Sequence, residues 1–496
     1  MERRYEDPAF PALLPPDEEI TLSVSPCRRA LRRILWGYAL QAITLQFLYL
    51  HYLLPLCGMM LQLLGLRTLR RENPAFRGGY VLALLRTVLT CSVLLWNTTI
   101  WCHLPDGSIR NLALSAVSLL LQVTQLILFA AGLRQVQRKA GTTPRMGGAV
   151  GMVLWLLVLS LLAVIGYRGA VLSILMILAY GLLLRALFRV ARDLDEAGYA
   201  VTAAPVRISD GALLGVLAAV LLAGAAVGYG CFGRYPMAWQ PVTMEDTAEL
   251  SAIRENLLAL GFPEDILSDL SAEELLTLRD ARRVVVSRVE HPVNDGRWVS
   301  ERDEEGIHQY VVYDDRELLI TGVGVELSGE REAWRIIHHF RWIMEPARIG
   351  TESIQLWTTD RLDGWRVADA VTGELLCDRA DGVYRADYAE LGRETYGYQD
   401  VLFGEQEGDD VFAAFSLPRE GENIRGYLAY TAEEMEDGWI IDSWINYTHQ
   451  RSRWQYPVLT AKGMRMRNGW RDAGAFLTVQ DALQFYPNAA EPAPFS

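Results

Sequence analysis

Lysine is almost absent from this chain. Of its 47 basic residues only Lys139 and Lys462 are lysine, and the rest are arginine. This bias is typical of a GC-rich genome, and we expect a bacterial source. No basic stretch interleaved with aromatic residues occurs outside the apolar half, which argues against nucleic-acid binding.

Cysteine is also scarce, with six residues in 496, and only Cys377 lies beyond residue 232. A single cysteine cannot form a disulfide framework in that part of the chain. No CxxC or Cys/His ligand spacing occurs, which argues against a zinc site. The motifs HExxH, GxSxG, SxxK, GxGxxG and the Walker loop are missing as well. We therefore expect no enzymatic activity, no metal and no cofactor.

Charge is divided unevenly along the chain. Residues 1–232 carry 21 basic and 12 acidic residues, whereas residues 233–496 carry 26 basic and 48 acidic residues. The overall net charge of −13 describes neither half. We expect an apolar, basic part followed by a separate acidic part, which its charge keeps soluble beside an anionic membrane surface.

The first half contains long apolar runs. A helix needs about 20 apolar residues to cross a bilayer. The runs predict a transmembrane helical domain over residues 34–232, with spans at about 34–50, 53–66, 80–101, 111–133, 147–167, 170–188 and 211–232. The first two runs, joined at His51-Tyr52, form either a hairpin of two short spans or one kinked span. We favour the hairpin and therefore seven spans.

Loop charge predicts the orientation of these spans. The loops after the second, fourth and sixth runs carry twelve basic residues, whereas the alternate loops carry only Arg110 and Arg168. Basic loops stay in the cytoplasm. We expect a multi-pass plasma-membrane protein with a cytoplasmic N-terminal tail (residues 1–33) and an extracytoplasmic C-terminal domain. The C-terminal domain lies outside whether the first apolar stretch forms two spans or one.

Few polar residues interrupt the spans. Arg86 is close enough to a span end to reach the lipid headgroups, so we expect it to snorkel. Gln122 and Gln125 favour interhelical hydrogen bonds over a substrate path. Small residues four apart predict close helix packing at Gly147/Gly151, Gly211/Gly215 and Gly224/Gly228.

Residues 233–282 predict a membrane-proximal helical neck. Ser271 and Glu274 form a capping box, which opens a helix over residues 272–282. Earlier helices are expected at residues 243–260 and 263–267.

From Arg283 the apolar period changes to two, with Asp-Gly turn signals between the runs. One expected strand face carries Trp334, Ile336, His338, Phe340 and Trp342. His338 and His339 then point to opposite faces and cannot share a metal. Ten or more short strands predict an all-β antiparallel sandwich-like domain over residues 283–487, followed by a disordered tail at residues 488–496.

Ten of the fourteen tryptophans lie at or beyond Trp239. Rings on the surface of a β-sandwich stack on sugars, and neighbouring carboxylates accept hydrogen bonds from hydroxyls. The candidate ligand-binding residues lie beside turns or polar residues and are Trp357, Trp365, Trp444 and Trp454. For each of these four tryptophans, the alternative is that the ring packs in the core of the domain. The acidic residues Glu405, Glu407, Asp409 and Asp410 lack the spacing of a calcium loop and predict a solvated hairpin turn.

These patterns favour a non-catalytic bacterial membrane protein. Its external β-sandwich binds a ligand, a cell-wall component or a protein partner. The expected partners are the lipid bilayer and a cell-surface glycan or protein. The alternative is a transporter or permease subunit with a substrate path through the helical bundle.

Overall fold

The computed structural model divides the chain into two compact units. The first lies within Met1–Trp96 and Leu104–Ala226, and the second within Asn97–His103 and Val227–Ser496. The residues that the structure describes are 26–42, 47, 49–102, 109–167, 169–199, 201, 204–243, 247–303, 306–346, 348–361, 363–400, 404–452, 455–468, 474–489 and 494.

The first half of the described chain is helical. Its helices are α1 (Pro26–Ala42), α2 (Leu50–Leu69), α3 (Pro74–Trp96), α4 (Ile109–Lys139), α5 (Gly147–Val164), α6 (Ala170–Glu196) and α7 (Asp210–Phe232), with a 3₁₀ turn at Ile100–Cys102. Among the described residues, six helices are long and apolar enough to cross a membrane, namely α2 to α7. Many of their apolar side chains face outward, such as Val171 (74% exposed) and Leu222 (73%). So large an exposed apolar surface indicates a multi-pass membrane protein.

The expectation of seven spans is corrected to six within the described chain. The expected first span, 34–50, is interrupted, because α1 ends at Ala42 and Tyr49 adopts a left-handed conformation (φ 59°) before α2. His51 lies in the first turn of α2 rather than between two spans. Helix α1 is described over 17 residues and begins in arginine-rich sequence, and it is not among the six membrane-capable helices of the described chain.

Helices α1 and α2 nevertheless pack as an antiparallel hairpin. A Cβ atom on Gly37 would lie 2.5 Å from the carbonyl oxygen of Gly58, so the two backbones touch there. Nearer the start of α1, Ile34 fills the space left open by Gly65 of α2. The beginning of α1 therefore lies beside the end of α2.

The arginine-rich segments meet at one end of the helical unit. Asp210, the first residue of α7, accepts hydrogen bonds from Arg33 of α1 at 2.8 Å and Arg67 of α2 at 3.3 Å. Lys139 at the end of α4 forms an ion pair of 2.8 Å with Glu72, which precedes α3. The basic segments expected on one side of the membrane thus share one end of the fold.

The second unit contains the neck and the β-strands. Its helices are α8 (Ala248–Ala259), α9 (Glu264–Leu267), α10 (Ala272–Thr277) and α11 (Ala461–Asn468). Its strands are β1 (Gln240–Pro241), β2 (Ala281–His291), β3 (Arg297–Asp303), β4 (Gly306–Val312), β5 (Leu318–Leu327), β6 (Ala333–Trp342), β7 (Thr351–Trp357), β8 (Trp365–Val367), β9 (Thr372–Arg379), β10 (Gly382–Ala386), β11 (Glu390–Asp400), β12 (Gly404–Ser416), β13 (Glu422–Glu434), β14 (Ile441–Gln450) and β15 (Phe476–Phe485).

The strands form two main antiparallel sheets. The larger has the order β1-β10-β9-β13-β6-β5-β2, with β8 also paired to β13, and the smaller has the order β11-β12-β7-β14-β15. Strands β3 and β4 pair as a separate hairpin. The two main sheets share one core, in which the rings of Phe340 and Tyr447 lie 5.0 Å apart. The expected large antiparallel β domain is confirmed.

Strand β6 confirms the predicted alternation. Trp334, Ile336, Phe340 and Trp342 lie in the core between the sheets, whereas Ile337 belongs to the opposite face. Because successive side chains of a strand point to opposite faces, β6 presents a second buried surface to the neck.

The neck packs on that outer face of the larger sheet. Its leucines form a second cluster with Ile337 and with Val323 and Val325 of β5. Ser271 caps α10 by accepting a hydrogen bond from the backbone N–H of Glu274, as the capping box predicts. Helix α10 stops at Thr277, short of the expected residue 282, because β2 begins at Ala281.

The carboxylate of Glu274 bonds to the sheet and not to the cap. It accepts two hydrogen bonds of 2.7 Å from Nε and Nη2 of Arg335, and Nη1 of Arg335 donates to Asp369 at 2.6 Å. Arg335 is 1% exposed and Glu274 is 4% exposed. This bidentate pair fixes the neck on β6.

We predict that Glu274→Ala destabilises the second unit by about 3 kcal/mol, because it leaves the buried guanidinium of Arg335 with one carboxylate fewer. Urea unfolding of the full chain in detergent, followed by tryptophan fluorescence, measures the change. The control is Glu433→Ala, which breaks the exposed pair with Arg366 and is expected to cost less than about 1 kcal/mol. Equal losses in the two variants would contradict the prediction.

Candidate functional site

Two of the four candidate tryptophans lie side by side on the smaller sheet. Trp357 ends β7 and is paired in register with Trp444 of β14, and their ring centroids are 6.2 Å apart at 53°. Their chain neighbours Leu356 and Ile445 lie in the core, so both tryptophans project from the outer face of the sheet. Both rings are half-buried, which leaves part of each accessible to a ligand.

An arginine and a carboxylate border this tryptophan pair. The guanidinium of Arg361 lies 4.3 Å from the ring centroid of Trp357, in a cation–π contact. The indole N–H of Trp444 donates to Asp442 at 2.6 Å. We call Trp357, Trp444, Arg361 and Asp442 the tryptophan platform. It combines flat apolar rings with one positive and one negative group.

A buried carboxylate holds Arg361 in place. Asp410 of β12 is 2% exposed and forms an ion pair with Arg361. Its other oxygen accepts from Tyr396 at 2.6 Å and from Gln355 at 2.7 Å. Burial, followed by the hydrogen bond to Asp410, raises the pKa of Tyr396 above its ordinary value. Arg361 is therefore positioned before any ligand arrives.

The acidic residues of this segment do not form the expected solvated turn. Glu405, Glu407, Asp409 and Asp410 all lie on strand β12. Asp410 is buried, because it accepts hydrogen bonds from Gln355 of β7 and Tyr396 of β11 on the two neighbouring strands. Among the described residues, no group of three or more His, Cys, Asp or Glu side chains is arranged to hold a metal ion.

The other two candidate tryptophans are placed differently. Trp365 of β8 is 3% exposed and belongs to the core between the sheets. Trp454 lies outside the described residues, so the prediction for it stays a prediction. The structure thus brings together Trp357 and Trp444 but not Trp365.

His338 and His339 point to opposite faces of β6, as predicted. His338 lies between the sheets, with Nε2 2.8 Å from Oγ of Ser443. His339 faces the neck and lies 3.0 Å from Asp269. Burial lowers the pKa of His338 to about 4. His338 is therefore neutral at physiological pH, and its role is to pack between the two sheets.

Arg86 does not snorkel, contrary to the sequence-based expectation. Because α3 begins at Pro74, Arg86 lies twelve residues inside the helix, about 18 Å from its start. It is 8% exposed and donates to the amide oxygens of Gln125 at 2.8 Å and Gln41 at 3.1 Å. Gln125 in turn donates to Gln62 at 2.9 Å, which confirms its interhelical hydrogen bonding. No carboxylate among the described residues pairs with Arg86.

A cavity of about 560 Å³ adjoins this cluster within the helical unit. Polar side chains on its wall include Tyr38, Gln41, Gln122 and Tyr180. Tyr38 is 3% exposed, and its hydroxyl has no hydrogen-bond partner among the described residues. Buried polar groups inside a membrane bundle mark candidate ligand sites, so the cavity is a second candidate.

Neither the family models nor the curated proteins compared with this chain match it.

The sequence predicts the two tryptophans of the platform but not the arginine beside them. Arg361 follows Trp357 by four residues, and the 3₁₀ turn at Thr359–Arg361 that brings it to the ring has no local sequence signal. Asp410 lies 49 residues further along the chain, and only the sheet pairing brings it near.

We predict that the second unit loses stability as the pH falls, through His338. Between about pH 6.5 and pH 4 the unfolded chain binds a proton on this residue that the folded chain does not, so the free energy of unfolding falls by about 3 kcal/mol. In His338→Gln this part of the pH dependence is expected to disappear. Urea unfolding at both pH values measures it, and His291→Gln is the control. An unchanged pH dependence in His338→Gln would refute the assignment.

Proposed function

We propose that this chain is a non-catalytic bacterial plasma-membrane protein that displays its β-sandwich outside the cell to bind a cell-wall glycan. The observation that carries the proposal is the tryptophan platform. Sugar rings present C–H faces that stack on indole, and their hydroxyls pair with arginine and carboxylate groups. A protein partner and another small ligand are the other candidates for this surface.

The chain direction supports an extracytoplasmic sandwich. Helix α7 starts at the arginine-rich end, where Asp210 binds Arg33 and Arg67. With 23 residues α7 is about 35 Å long, enough to cross the bilayer. Residues after Phe232 then emerge on the side opposite the basic segments. Since basic segments stay in the cytoplasm, we place the arginine-rich end of the helical unit inside and the sandwich outside.

Protease treatment of intact cells tests this orientation. We predict that residues beyond Gly233 are cleaved, while the loop from Arg134 to Arg145 is protected by the membrane. The same protease applied to inverted vesicles serves as the control and is expected to cleave that loop. Protection of the sandwich together with cleavage of the loop in intact cells would refute the orientation.

Binding to purified cell-wall sacculi tests the platform. We predict that Trp444→Ala lowers the affinity of the full chain for sacculi about two- to tenfold, the equivalent of about 0.5–1.5 kcal/mol for one stacked ring. The matched control is Trp298→Ala, because Trp298 is 71% exposed but lies on the separate β3–β4 hairpin. Equal binding by the two variants would exclude the platform as the glycan site.

The intramembrane cavity favours one second candidate function, a transporter or permease subunit. Its wall carries Gln122 and Gln41, and Gln41 accepts a hydrogen bond from Arg86. An arginine with amide partners, and no carboxylate among the described residues, suits a neutral or anionic substrate better than proton coupling. Uptake into proteoliposomes that depends on Gln122, with unchanged sacculus binding, would favour this function over the first.

A further inference from the structure

A pocket of about 470 Å³ lies in the second unit where α7 ends. Its aromatic wall includes Trp101 and Phe232, whose ring centroids are 5.7 Å apart, and Trp239. Trp101 is 47% exposed and Phe232 is 43% exposed. Half-exposed aromatic rings at the end of an apolar helix are typical of the membrane–water interface. The pocket thus lies at the level of the lipid headgroups.

The polar wall of this pocket is mainly positive. Among the described lining residues it carries Arg234, Arg379 and Arg419 against one carboxylate, Glu420. Arg379 stacks on the ring of Tyr384 at 4.1 Å, and Arg419 donates to the carbonyl of Gly230 at 3.4 Å. Within the described chain neither Arg379 nor Arg419 forms an ion pair with a carboxylate. Their charges remain available to a ligand.

Two arginine side chains of this pocket bond to backbone carbonyls and so join the arginine group to the end of α7. Arg234, two residues after the helix, donates to the carbonyl of Leu417 on the strand connection that carries Arg419. This bond, together with the bond from Arg419 to the carbonyl of Gly230, connects the arginine-bearing rim of the pocket to the last turn of α7. A ligand bound at the rim therefore lies beside the apolar surface of the helix.

We propose that this pocket binds the phosphate of an anionic membrane phospholipid. Arginine pairs with phosphate through two parallel hydrogen bonds, and a basic pocket beside a transmembrane helix suits an anionic headgroup. The aromatic rings and the outward face of α7, where Val227 is 54% exposed, contact the acyl chains. Free phosphate shares the headgroup chemistry but not these apolar contacts. The proposal is independent of the tryptophan platform.

The test uses the full chain in nanodiscs of equal parts phosphatidylcholine and phosphatidylglycerol, with the retained lipids counted by native mass spectrometry. We expect the wild-type protein to retain phosphatidylglycerol preferentially. In Arg379→Ala/Arg419→Ala we expect this preference to fall at least about tenfold, because each arginine near an anionic surface contributes about fivefold. The matched control is Arg316→Ala/Arg331→Ala, which removes two exposed arginines elsewhere on the sandwich and is expected to change nothing.

Two further arms keep the test decisive. Arg379→Lys/Arg419→Lys keeps the charge but loses the bidentate geometry, and we expect an intermediate preference with an intact fold. Inorganic phosphate is added to the lipid-free protein in detergent at millimolar concentration. Arginine-dependent binding of inorganic phosphate without retention of phosphatidylglycerol would overturn the lipid proposal. So would equal retention of the two lipids by the wild-type protein.

Discussion

The ion pair between Arg335 and Glu274 is the interaction on which the second unit most depends. Strand β6 lies in the larger sheet, with its apolar face in the core and its other face under the neck helices. A charged residue on that second face is tolerated because Glu274 meets the guanidinium with both oxygens and Asp369 accepts from its third nitrogen. Arg425 repeats the arrangement one strand away, donating to Asp269 at 2.7 Å. The neck is therefore a covering layer of the sheet.

Local patterns in the sequence predicted the elements that depend on local physics. The alternation from Trp334 to Trp342 reproduced the two faces of β6, and Ser271 capped α10 as its spacing indicated. Apolar run length identified six membrane-capable helices among the described residues, because crossing a bilayer sets a minimum length. It failed at the first run, 34–50, because α1 ends at Ala42 and α2 begins only at Leu50.

Partners that are distant in sequence could not be predicted in the same way. Glu274 and Arg335 are 61 residues apart, and nothing in their immediate sequences marks them as a pair. The apolar run predicts a span start at residue 80, six residues after the observed start of α3, and so puts Arg86 near the headgroups. Its hydrogen-bond partners Gln41 and Gln125 come from two other helices. For the platform, sequence supplied the two tryptophans but neither their contact across β7 and β14 nor the arginine stacked on one of them.

The short connection after α7 has a mechanical consequence. Only seven residues, Gly233–Trp239, separate Phe232 from the first paired residue of the sheet, a span of about 25 Å at full extension. Arg234 in this connection also bonds to Leu417, so little extension is available before tension reaches the helix itself. If the sandwich grips a stiff polymer, any stretching of that polymer pulls directly on a membrane span. Under the proposed function, this connection would transmit strain in the bound glycan to helix α7.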